Sequence, residues 1–378
     1  MSADLPTTIV IKTTDSCNAA CHYCYEENAV DGTVRTIPLD VVEEIYRWVA
    51  ESGLAKVQLV WHGGEPLLAG ICFFQQIFSI QAKYERAGLE YIHSLQTNGI
   101  LVDDDWIKLF RYYRIGVGIS LDGPAWLHDF QRPLSTGCPS HSRVISALDR
   151  MTAAGLRVSL SAVVTQKSLG AEREIISFFS ALPAESVDFL PMTVLASKLQ
   201  DHSFLISAIE FSQFICEIYK EWSRLDEERI SIRYLENMIR GITGCHPSLC
   251  TFSGRCGAYI SIDFDGSLYP CDSFMRAQEF RMGNLRDKTL NTLLSTSRYH
   301  TFRADIAQLP HTCENCEILQ ACNGGCPSER YSGDGKFMRL YPFCGTRRDL
   351  ARLIAADLNA AGASELLRLP RAIQTEYP

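Results

Sequence analysis

Three cysteines close to the amino terminus have a spacing that suits an iron–sulfur cluster. Cys17, Cys21 and Cys24 form a C-x3-C-x2-C motif within one short segment. Three thiolates can each bind one iron of a cubane cluster, and they leave the fourth iron open for a reactant. A structural zinc site, the alternative for closely spaced cysteines, uses four ligands. The motif therefore favours a cluster that takes part in chemistry over a zinc ion that only holds the fold.

Eight further cysteines lie between residues 250 and 344. They are Cys250, Cys256, Cys271, Cys313, Cys316, Cys322, Cys326 and Cys344. Eight thiolates suffice for two 4Fe-4S clusters in which every iron has a protein ligand. The closely spaced Cys313 and Cys316 alone would also suit a zinc ribbon, so the inference depends on the whole series. We expect the remaining four cysteines in the core or in loops, since they lack ligand spacing. These four are Cys72, Cys138, Cys216 and Cys245.

The composition is that of a folded protein without a nucleic-acid-binding surface. The 378 residues are 46% hydrophobic and carry 36 basic against 44 acidic side chains, a net charge of −8. An acidic chain of this kind offers no broad basic surface for nucleic acid. The sequence has no apolar run of about 18 residues and no signal-peptide pattern at its amino terminus. These features predict a soluble cytoplasmic protein with no membrane partner, whose cysteines serve metals rather than disulfides.

The first half of the chain repeats a short apolar run followed by an amphipathic segment. The runs are Thr8–Lys12, Val57–Trp61, Tyr91–Gln96, Ile115–Ser120, Val158–Val164 and Val187–Leu190. The amphipathic segments are Pro38–Glu51 and about 71–87, 103–113, 141–154 and 171–181. This alternation predicts an α/β fold with a parallel sheet, arranged as a partial (β/α)6 barrel. Functional residues of such barrels collect at the carboxyl ends of the strands, and the first cysteine motif follows the first run.

The pattern changes after residue 200. Helical segments at about 203–223 and 231–242 are followed by a stretch rich in glycine and cysteine. We predict a barrel at 1–200, a helical connector at 201–244, a small domain at 245–350, and a C-terminal helix and tail at 351–378. Bonds to metal would stabilise that small domain in place of a large hydrophobic core.

Three segments that follow predicted strands add to the first cysteine motif. They are Trp61-His-Gly-Gly-Glu65-Pro66, Gln96-Thr-Asn-Gly99 and Ile119-Ser-Leu-Asp-Gly-Pro124. With the three cysteines, these segments resemble the radical S-adenosylmethionine (SAM) superfamily over the whole predicted barrel. The resemblance implies that SAM chelates the open iron and that the reduced cluster cleaves SAM to a 5′-deoxyadenosyl radical.

The same resemblance implies which residues contact SAM. They are Tyr23, Gly64, Glu65, Ser120 and Arg132. In the superfamily, the glutamate and the neighbouring backbone hold the amino group of SAM. Gly64 allows a close approach of the backbone to a ligand, and Arg132 can bind a carboxylate through two parallel hydrogen bonds.

The later cysteine series resembles the SPASM domain, the auxiliary-cluster module of radical SAM enzymes that modify peptides. The resemblance implies two ligand sets. The first auxiliary cluster would be bound by Cys250, Cys256, Cys271 and Cys326. The second would be bound by Cys313, Cys316, Cys322 and Cys344. The cofactors would then be SAM and three 4Fe-4S clusters, one that binds SAM and two that are auxiliary. Asp272 matches the position of the proposed catalytic base of the anaerobic sulfatase-maturating enzymes, one group of enzymes with this domain.

Two groups of SPASM enzymes are most similar, and they differ in substrate. Anaerobic sulfatase-maturating enzymes, which oxidise Ser or Cys to formylglycine, share Tyr269-Pro-Cys-Asp272 and Ala321-Cys-Asn-Gly-Gly-Cys-Pro327. Maturases of ribosomally made peptides share these segments and often have Trp-His-Gly-Gly-Glu-Pro. His62 stands where the first group usually has glutamine, and we expect it to contact substrate. On that residue we favour a maturase that crosslinks its precursor peptide by two-electron oxidation, with sulfatase maturation as the alternative.

Both of these functions require a peptide or protein substrate and an electron donor such as flavodoxin or ferredoxin. A redox partner or binding module would retain auxiliary clusters without a SAM pocket, and a zinc-binding interaction protein would leave ligands unused. The three-cysteine motif is accompanied here by Glu65 and Ser120. The sequence therefore predicts an enzyme, a radical SAM oxidoreductase.

Overall fold

The computed structural model describes residues 5–24, 33–192, 202–225, 230–275 and 277–369. The chain divides into two compact units. The first unit comprises Met1–Leu121, His128–Leu160 and Gly257–Arg303. The second comprises Asp122–Leu127, Ser161–Cys256 and Ala304–Pro378. The domain boundaries that we expect from the sequence, at residues 200, 244 and 350, stay predictions.

Ten strands lie in the described residues. They are β1 Thr8–Lys12, β2 Lys56–His62, β3 Glu90–Thr97, β4 Gly116–Ser120, β5 Val158–Val164, β6 Ser186–Pro191, β7 Ser231–Ile232, β8 Tyr259–Ile262, β9 Ser267–Tyr269 and β10 Gly283–Asn284. The strand order in the first unit is β10-β9-β8-β1-β2-β3-β4-β5, and in the second unit it is β5-β6-β7. Strand β1 pairs in parallel with both β2 and β8, whereas β9 pairs antiparallel with β8 and β10.

The α-helices of the described residues follow the strands in the expected alternation and continue to the end of the chain. They are α1 Leu39–Glu51, α2 Ile71–Lys83, α3 Asp104–Tyr112, α4 Ala125–Gln131, α5 His141–Ala153, α6 Glu172–Ser180, α7 Ala208–Ser223, α8 Arg233–Ile242, α9 Cys250–Ser253, α10 Leu290–Leu294, α11 Ser297–Ala307, α12 His311–Glu314, α13 Leu319–Cys322, α14 Pro327–Arg330 and α15 Cys344–Ala360. None of the helices that the structure describes is both long and apolar enough to cross a bilayer.

The predicted α/β class with six strand–helix repeats is confirmed. Each of the six predicted apolar runs forms a strand whose ends differ from the prediction by at most one residue. Helix α7 begins later than predicted, at Ala208, because Ser207 caps it and Glu210 bonds back to the backbone of Ser207. The short strands β7, β8, β9 and β10 were not predicted, since two to four residues carry too little periodicity to read. Residues 231 and 232, which form β7, were predicted to begin a helix, and that helix starts at Arg233 instead.

Alternation along the strands of the first unit defines which side chains face the helices. Trp61 of β2 packs edge-on against Phe74 of α2, with ring centroids 5.8 Å apart. The next residue, His62, must therefore leave the opposite face of the sheet. Register pairs His62 with Lys12 of β1, and the same parity places Gln96 and Ser120 on that face. Four polar side chains thus stand in a row at the carboxyl ends of β1 to β4.

A buried hydrogen-bond chain fixes the strand below His62. The indole nitrogen of Trp61 donates to His93 Nδ1 at 3.2 Å, and His93 Nε2 lies 2.7 Å from Gln81 Oε1. Since Nδ1 accepts, Nε2 carries the ring proton and donates to Gln81. Burial lowers the pKa of His93 to about 4, so the ring is neutral near neutral pH. These two hydrogen bonds join β2, β3 and α2 on the face of the sheet opposite the polar row.

Candidate active site and cluster-binding regions

The segment with the first three cysteines is held in place by the chain that follows α4. The amide of Ala20 donates to Pro133 O at 2.8 Å and that of His22 donates to Gln131 O at 3.0 Å. The amide of Ser135 donates in return to Asn18 O at 3.0 Å. These bonds act like a short antiparallel pairing, so a loop without regular secondary structure has a defined position.

The three thiols lie close together in this loop. Burial, together with the nearby charges of Glu65, Cys21 and Cys24, raises the pKa of Cys17 to about 12. Asn98 Nδ2 lies 3.8 Å from the sulfur of Cys17, and Arg132 Nη1 lies 3.8 Å from the sulfur of Cys21. Buried thiolates need compensation by metal or by donors, and N–H groups directed at sulfur are typical around iron–sulfur clusters. The loop therefore fits a cluster.

The arrangement of possible ligands differs from that of a zinc site. Among the residues that the structure describes, no three His, Cys, Asp or Glu side chains are placed to hold a single metal ion. A zinc ion needs its ligands to converge on one point at about 2.0–2.3 Å. A cubane cluster takes one thiolate on each iron, so its sulfurs stand further apart.

The backbone at Gly64 and Glu65 lies against the cysteine loop. Gly64 has φ +48°, and a Cβ at this position would lie 2.2 Å from the carbonyl oxygen of Ser16. The amide of Glu65 donates to that same oxygen at 2.8 Å. Only glycine allows this approach, which brings the loop after β2 into direct contact with the loop after β1.

The carboxylate of Glu65 joins the loop after β2 to the loop after β3. It is fully buried and accepts hydrogen bonds from Leu67 N at 3.1 Å, Thr97 Oγ1 at 2.7 Å and Asn98 N at 2.7 Å. Burial raises the pKa of Glu65 to about 7, and these donors oppose the rise. Both carboxylate oxygens are thus engaged by the chain itself. Glu65 organises the loops, whether or not it also touches a ligand.

Ser120, Arg132 and Tyr23 lie around the same region. Gln96 Nε2 donates to Ser120 Oγ at 3.1 Å, which orients the hydroxyl at the end of β4. The guanidinium of Arg132 lies 5.2 Å from the ring centroid of the buried Tyr23, within range of a cation–π interaction. The structure therefore brings Arg132 close to both Tyr23 and Cys21. That Tyr23 and Arg132 contact SAM stays a prediction.

His62 and Lys12 occupy neighbouring positions in the polar row. The Nδ1 atom of His62 is buried and has no hydrogen-bond partner among the described residues. Lys12 is only 6% exposed, and it lies close enough to Tyr269 to oppose the rise that burial produces in the pKa of that phenol. The sequence analysis missed Lys12. Its one signal was a charged residue at the end of an otherwise apolar strand.

Asp272 begins a short 3-10 helix, Asp272–Phe274, directly after Cys271. Its side chain is half-buried, and both residues belong to the first unit. Strand β9, which ends two residues before Cys271, pairs with β8, and β8 pairs with β1. The Tyr269-Pro-Cys-Asp272 segment is therefore attached to the sheet that carries the polar row.

The proposed ligands of the second auxiliary cluster all belong to the second unit and lie near one another. Burial raises the pKa of Cys313, and the thiols of Cys322 and Cys316 raise it further. Burial likewise raises the pKa of Cys344, with contributions from Cys322, Cys316 and Cys313. Four thiols within electrostatic range of one another are the ligand set that one cluster needs.

Three members of the other set, Cys250, Cys256 and Cys326, also lie together in the second unit. Burial raises the pKa of Cys250 to about 11, and the thiol of Cys326 adds to the rise. Burial raises the pKa of Cys256 as well, with contributions from Cys326 and Cys250. The fourth predicted member, Cys271, belongs to the first unit.

The turn between Cys322 and Cys326 depends on the residue types Asn-Gly-Gly that form it. Asn323 has φ +49°, and its side chain donates to Phe252 O at 2.6 Å. Gly325 has φ +71°, and a Cβ there would lie 2.3 Å from the ring of Tyr341. The turn thus needs one residue that tolerates positive φ and one without a side chain, and it places a cysteine at each end.

A buried arginine lies among the cysteines of the second unit. Arg330 is 2% exposed and donates to the carbonyls of Ile306, Gln308 and Phe337 at 2.8–3.0 Å. Burial lowers its pKa, and four thiols oppose this change. These thiols are Cys256, Cys313, Cys326 and Cys322. The guanidinium therefore lies within electrostatic range of members of both predicted sets.

The sequence analysis also missed an ion pair on β6. Phe189 packs against Phe179 of α6 and Phe214 of α7, so Asp188 leaves the other face of the strand. Strands β6 and β7 pair Val187 with Ile232, which brings the following Arg233 beside Asp188, with Nη1 3.7 Å from Oδ2. Burial raises the pKa of Asp188 to about 6, and Arg233 opposes the rise.

Comparisons with known proteins agree with this arrangement. Residues 11–176 match the family described as the Radical SAM superfamily. Residues 250–317 match SPASM, described as an iron-sulfur cluster-binding domain. The two matches cover the loop with the first three cysteines, the polar row, and five of the eight later cysteines.

Similar proteins cover most of the chain. A serine-type anaerobic sulfatase-maturating enzyme of Klebsiella aerogenes is 30% identical over 83% of this chain and 77% of its own. A cysteine-type enzyme of Clostridium perfringens is 27% identical over 91% of this chain and 95% of its own. The structure of native anSMEcpe with bound AdoMet and Cp18Cys peptide has a TM-score of 0.83 and 25% identity. It covers 95% of this chain and 99% of that chain.

Replacing the Glu65 carboxylate by an amide should weaken the binding of SAM. In Glu65→Gln an amide NH2 group would face the N–H of Asn98 or the other donors, so the loops at the strand ends should separate. Since a hydrogen bond to a charged group contributes about 1.5–3 kcal/mol, we expect the Kd for SAM to rise roughly tenfold or more. Anaerobic equilibrium dialysis of the reconstituted protein measures it.

Thr97 provides a matched pair of variants for the same interaction. Thr97→Ser keeps the hydroxyl that donates to Glu65 and should bind SAM nearly as the parent does, whereas Thr97→Val keeps the shape, lacks the donor and should bind weakly. Unchanged affinity in both Glu65→Gln and Thr97→Val would contradict the organising role of the carboxylate.

Proposed function

Because the chain belongs to the radical SAM enzymes that carry a SPASM domain and modify proteins, we propose that it matures sulfatases under anaerobic conditions. Its cofactors are SAM and 4Fe-4S clusters, one that binds SAM and two that are auxiliary. The proposed reaction oxidises one cysteine or serine of a sulfatase to formylglycine.

The observation that carries this proposal is the similarity to sulfatase-maturating enzymes over more than four fifths of the chain. The sequence analysis favoured a crosslinking peptide maturase, and that preference depended on His62 alone. A single side chain in the polar row is weaker support than similarity along the whole chain. We therefore adopt sulfatase maturation, which the sequence analysis gave as the alternative. Relatives of serine type and of cysteine type are both similar, so peptides with either residue are candidate substrates.

The reaction needs a hydrogen atom, a proton and an electron to leave the substrate residue. Bound SAM and its cluster supply the 5′-deoxyadenosyl radical that takes the hydrogen atom from the β-carbon. Loss of the side-chain proton and one electron then gives an aldehyde from serine. From cysteine it gives a thioaldehyde, which water converts to the aldehyde with release of hydrogen sulfide.

The residues of this chain have separate proposed roles in that reaction. Cys17, Cys21 and Cys24 hold the SAM-binding cluster, and the eight later cysteines hold the auxiliary clusters in the two sets predicted above. Tyr23, Gly64, Ser120 and Arg132 bind SAM. Glu65 contributes by fixing the loops, and a bound amino group would favour its ionised form against the burial that raises its pKa to about 7. Arg132 and Ser120 suit the carboxylate of SAM.

Substrate and electron transfer use other groups. Asp272 is the proposed base that removes the side-chain proton, because its carboxylate follows a cluster ligand on a segment attached to the sheet. His62, with an unpartnered buried Nδ1, and the neighbouring Lys12 are proposed to contact the peptide. The partners are a sulfatase-derived peptide or protein, and flavodoxin or ferredoxin as electron donor.

The proposed function is tested with two matched peptides. Anaerobically reconstituted protein is incubated with SAM, dithionite and a sulfatase-derived peptide that contains cysteine or serine at the modified position. We expect at least one peptide to gain an aldehyde that reacts with a hydrazine, while the same peptide with alanine at that position stays unchanged. Mass spectrometry of the trapped product measures conversion.

The outcome that contradicts sulfatase maturation is specific. Neither peptide would gain an aldehyde, although the same preparation forms 5′-deoxyadenosine from SAM. Loss of two hydrogen atoms with a new crosslink in an aromatic-containing precursor peptide would instead support the crosslinking maturase that the sequence analysis favoured.

Asp272→Asn tests the proposed base. Loss of a general base typically costs roughly 10²–10⁴-fold in rate, so aldehyde formation should fall by about that factor. Formation of 5′-deoxyadenosine should continue, since cleavage of SAM precedes the proton transfer. Asp287→Asn, a change at an exposed residue of the same unit, is the matched control. Equal aldehyde yields from both variants would remove Asp272 from the mechanism.

A further inference from the structure

A second buried arginine makes direct contact with a cysteine of the second unit. Arg347 lies on the first turn of α15, three residues after Cys344, and is fully buried. Its Nη1 atom lies 3.2 Å from the sulfur of Cys322. The same nitrogen donates to Cys322 O at 2.9 Å and to Thr251 O at 2.8 Å. A cationic donor is thus directed at a sulfur that we propose as a cluster ligand.

Aromatic rings fix the plane of this guanidinium. Its central carbon lies 3.7 Å from the ring centroid of Phe252 and 4.5 Å from that of Tyr341. Two cation–π contacts and three hydrogen bonds leave the group little freedom to turn away. The contact with Cys322 is therefore a defined part of the packing.

The charge of Arg347 needs a negative partner. No ion pair between Arg347 and a carboxylate occurs among the described residues. The adjacent phenols do not provide the charge, because burial raises the pKa of Tyr234 to about 12 and raises that of Tyr341 as well. A buried guanidinium without an anionic partner is costly, so an anion bound beside Arg347 would compensate its charge.

A 4Fe-4S cluster with four thiolate ligands is such an anion. Hydrogen bonds to its sulfurs and nearby positive charge both stabilise the reduced, more negative state. The positive end of the α15 helix dipole, which lies at Cys344, acts in the same direction. Arg330, by contrast, donates its hydrogen bonds to backbone carbonyls and lies near cysteines of both sets.

We propose that Arg347 is a positioning residue that raises the reduction potential of the second auxiliary cluster relative to the first. It acts through Cys322, so the inference rests on the proposed function and on its second ligand set. The consequence is a difference between two clusters of the same type and ligand number, which sets the order in which they accept an electron from the substrate.

The test measures the auxiliary clusters without interference from the SAM-binding cluster. The full chain carries Cys17→Ala, Cys21→Ala and Cys24→Ala, and electron paramagnetic resonance quantifies reduced cluster during a potentiometric titration. With Arg347→Met added, we expect the reduced-to-oxidised ratio of one auxiliary cluster to fall roughly tenfold at a fixed potential, about 59 mV for a one-electron couple. The other auxiliary cluster should keep its ratio.

Two further variants separate this role from a structural one. Arg347→Lys keeps the charge but lacks the planar fork, so its shift should be smaller and in the same direction. Arg224→Met changes an exposed arginine of the same unit whose ion pair is with Glu221, and it should leave both potentials unchanged. Parental potentials in Arg347→Met, or equal shifts of both clusters, would overturn the proposal.

A second measurement does not require removal of the charge. In protein labelled with 15N-arginine, pulsed electron paramagnetic resonance of the reduced second cluster should detect a coupled nitrogen that is lost in Arg347→Lys. The same coupling in both proteins would overturn the proposal.

Iron content separates failure of this inference from failure of the ligand set. A triple-alanine protein without iron for two 4Fe-4S clusters would refute the ligand set and this inference together. Full iron with unshifted potentials would refute the role of Arg347 alone.

Discussion

The buried carboxylate of Glu65 is the interaction on which the first unit depends. Its three hydrogen bonds join the loops after β2 and β3, and the amide of the same residue bonds to Ser16 in the loop after β1. Loops at the carboxyl ends of parallel strands have no ladder of their own to position them. A fully buried group that bonds to several of them supplies that position, and the first three cysteines and Asn98 are placed as a result.

Charge compensation is the corresponding constraint in the second unit. Its thiols are buried, which disfavours their ionised form, and yet iron binds the thiolate. Two buried arginines, Arg330 and Arg347, place positive charge among these sulfurs. We propose that the clusters and these arginines neutralise one another, and that much of the stability of this region comes from bonds to iron rather than from apolar packing.

Much of the fold and part of the site could be predicted from the sequence. The six parallel strands carry enough periodicity to be placed within one residue, and the spacing of Cys17, Cys21 and Cys24 needs no tertiary information. Glycine is needed at position 64 because a Cβ there would lie 2.2 Å from the carbonyl oxygen of Ser16, and sequence spacing cannot show this close approach. What the sequence could not show was long-range pairing. Lys12 beside His62, Asp188 beside Arg233, and Arg347 on Cys322 each join residues that are distant in the chain.

We propose that this chain oxidises the β-carbon of one residue in a sulfatase. The most direct measurement uses a sulfatase-derived peptide that carries deuterium on the β-carbon of the cysteine or serine, incubated with reconstituted enzyme, SAM and dithionite. We expect deuterium in the 5′-deoxyadenosine that is recovered, together with an aldehyde in the peptide. Aldehyde formation with 5′-deoxyadenosine that contains no deuterium would contradict it.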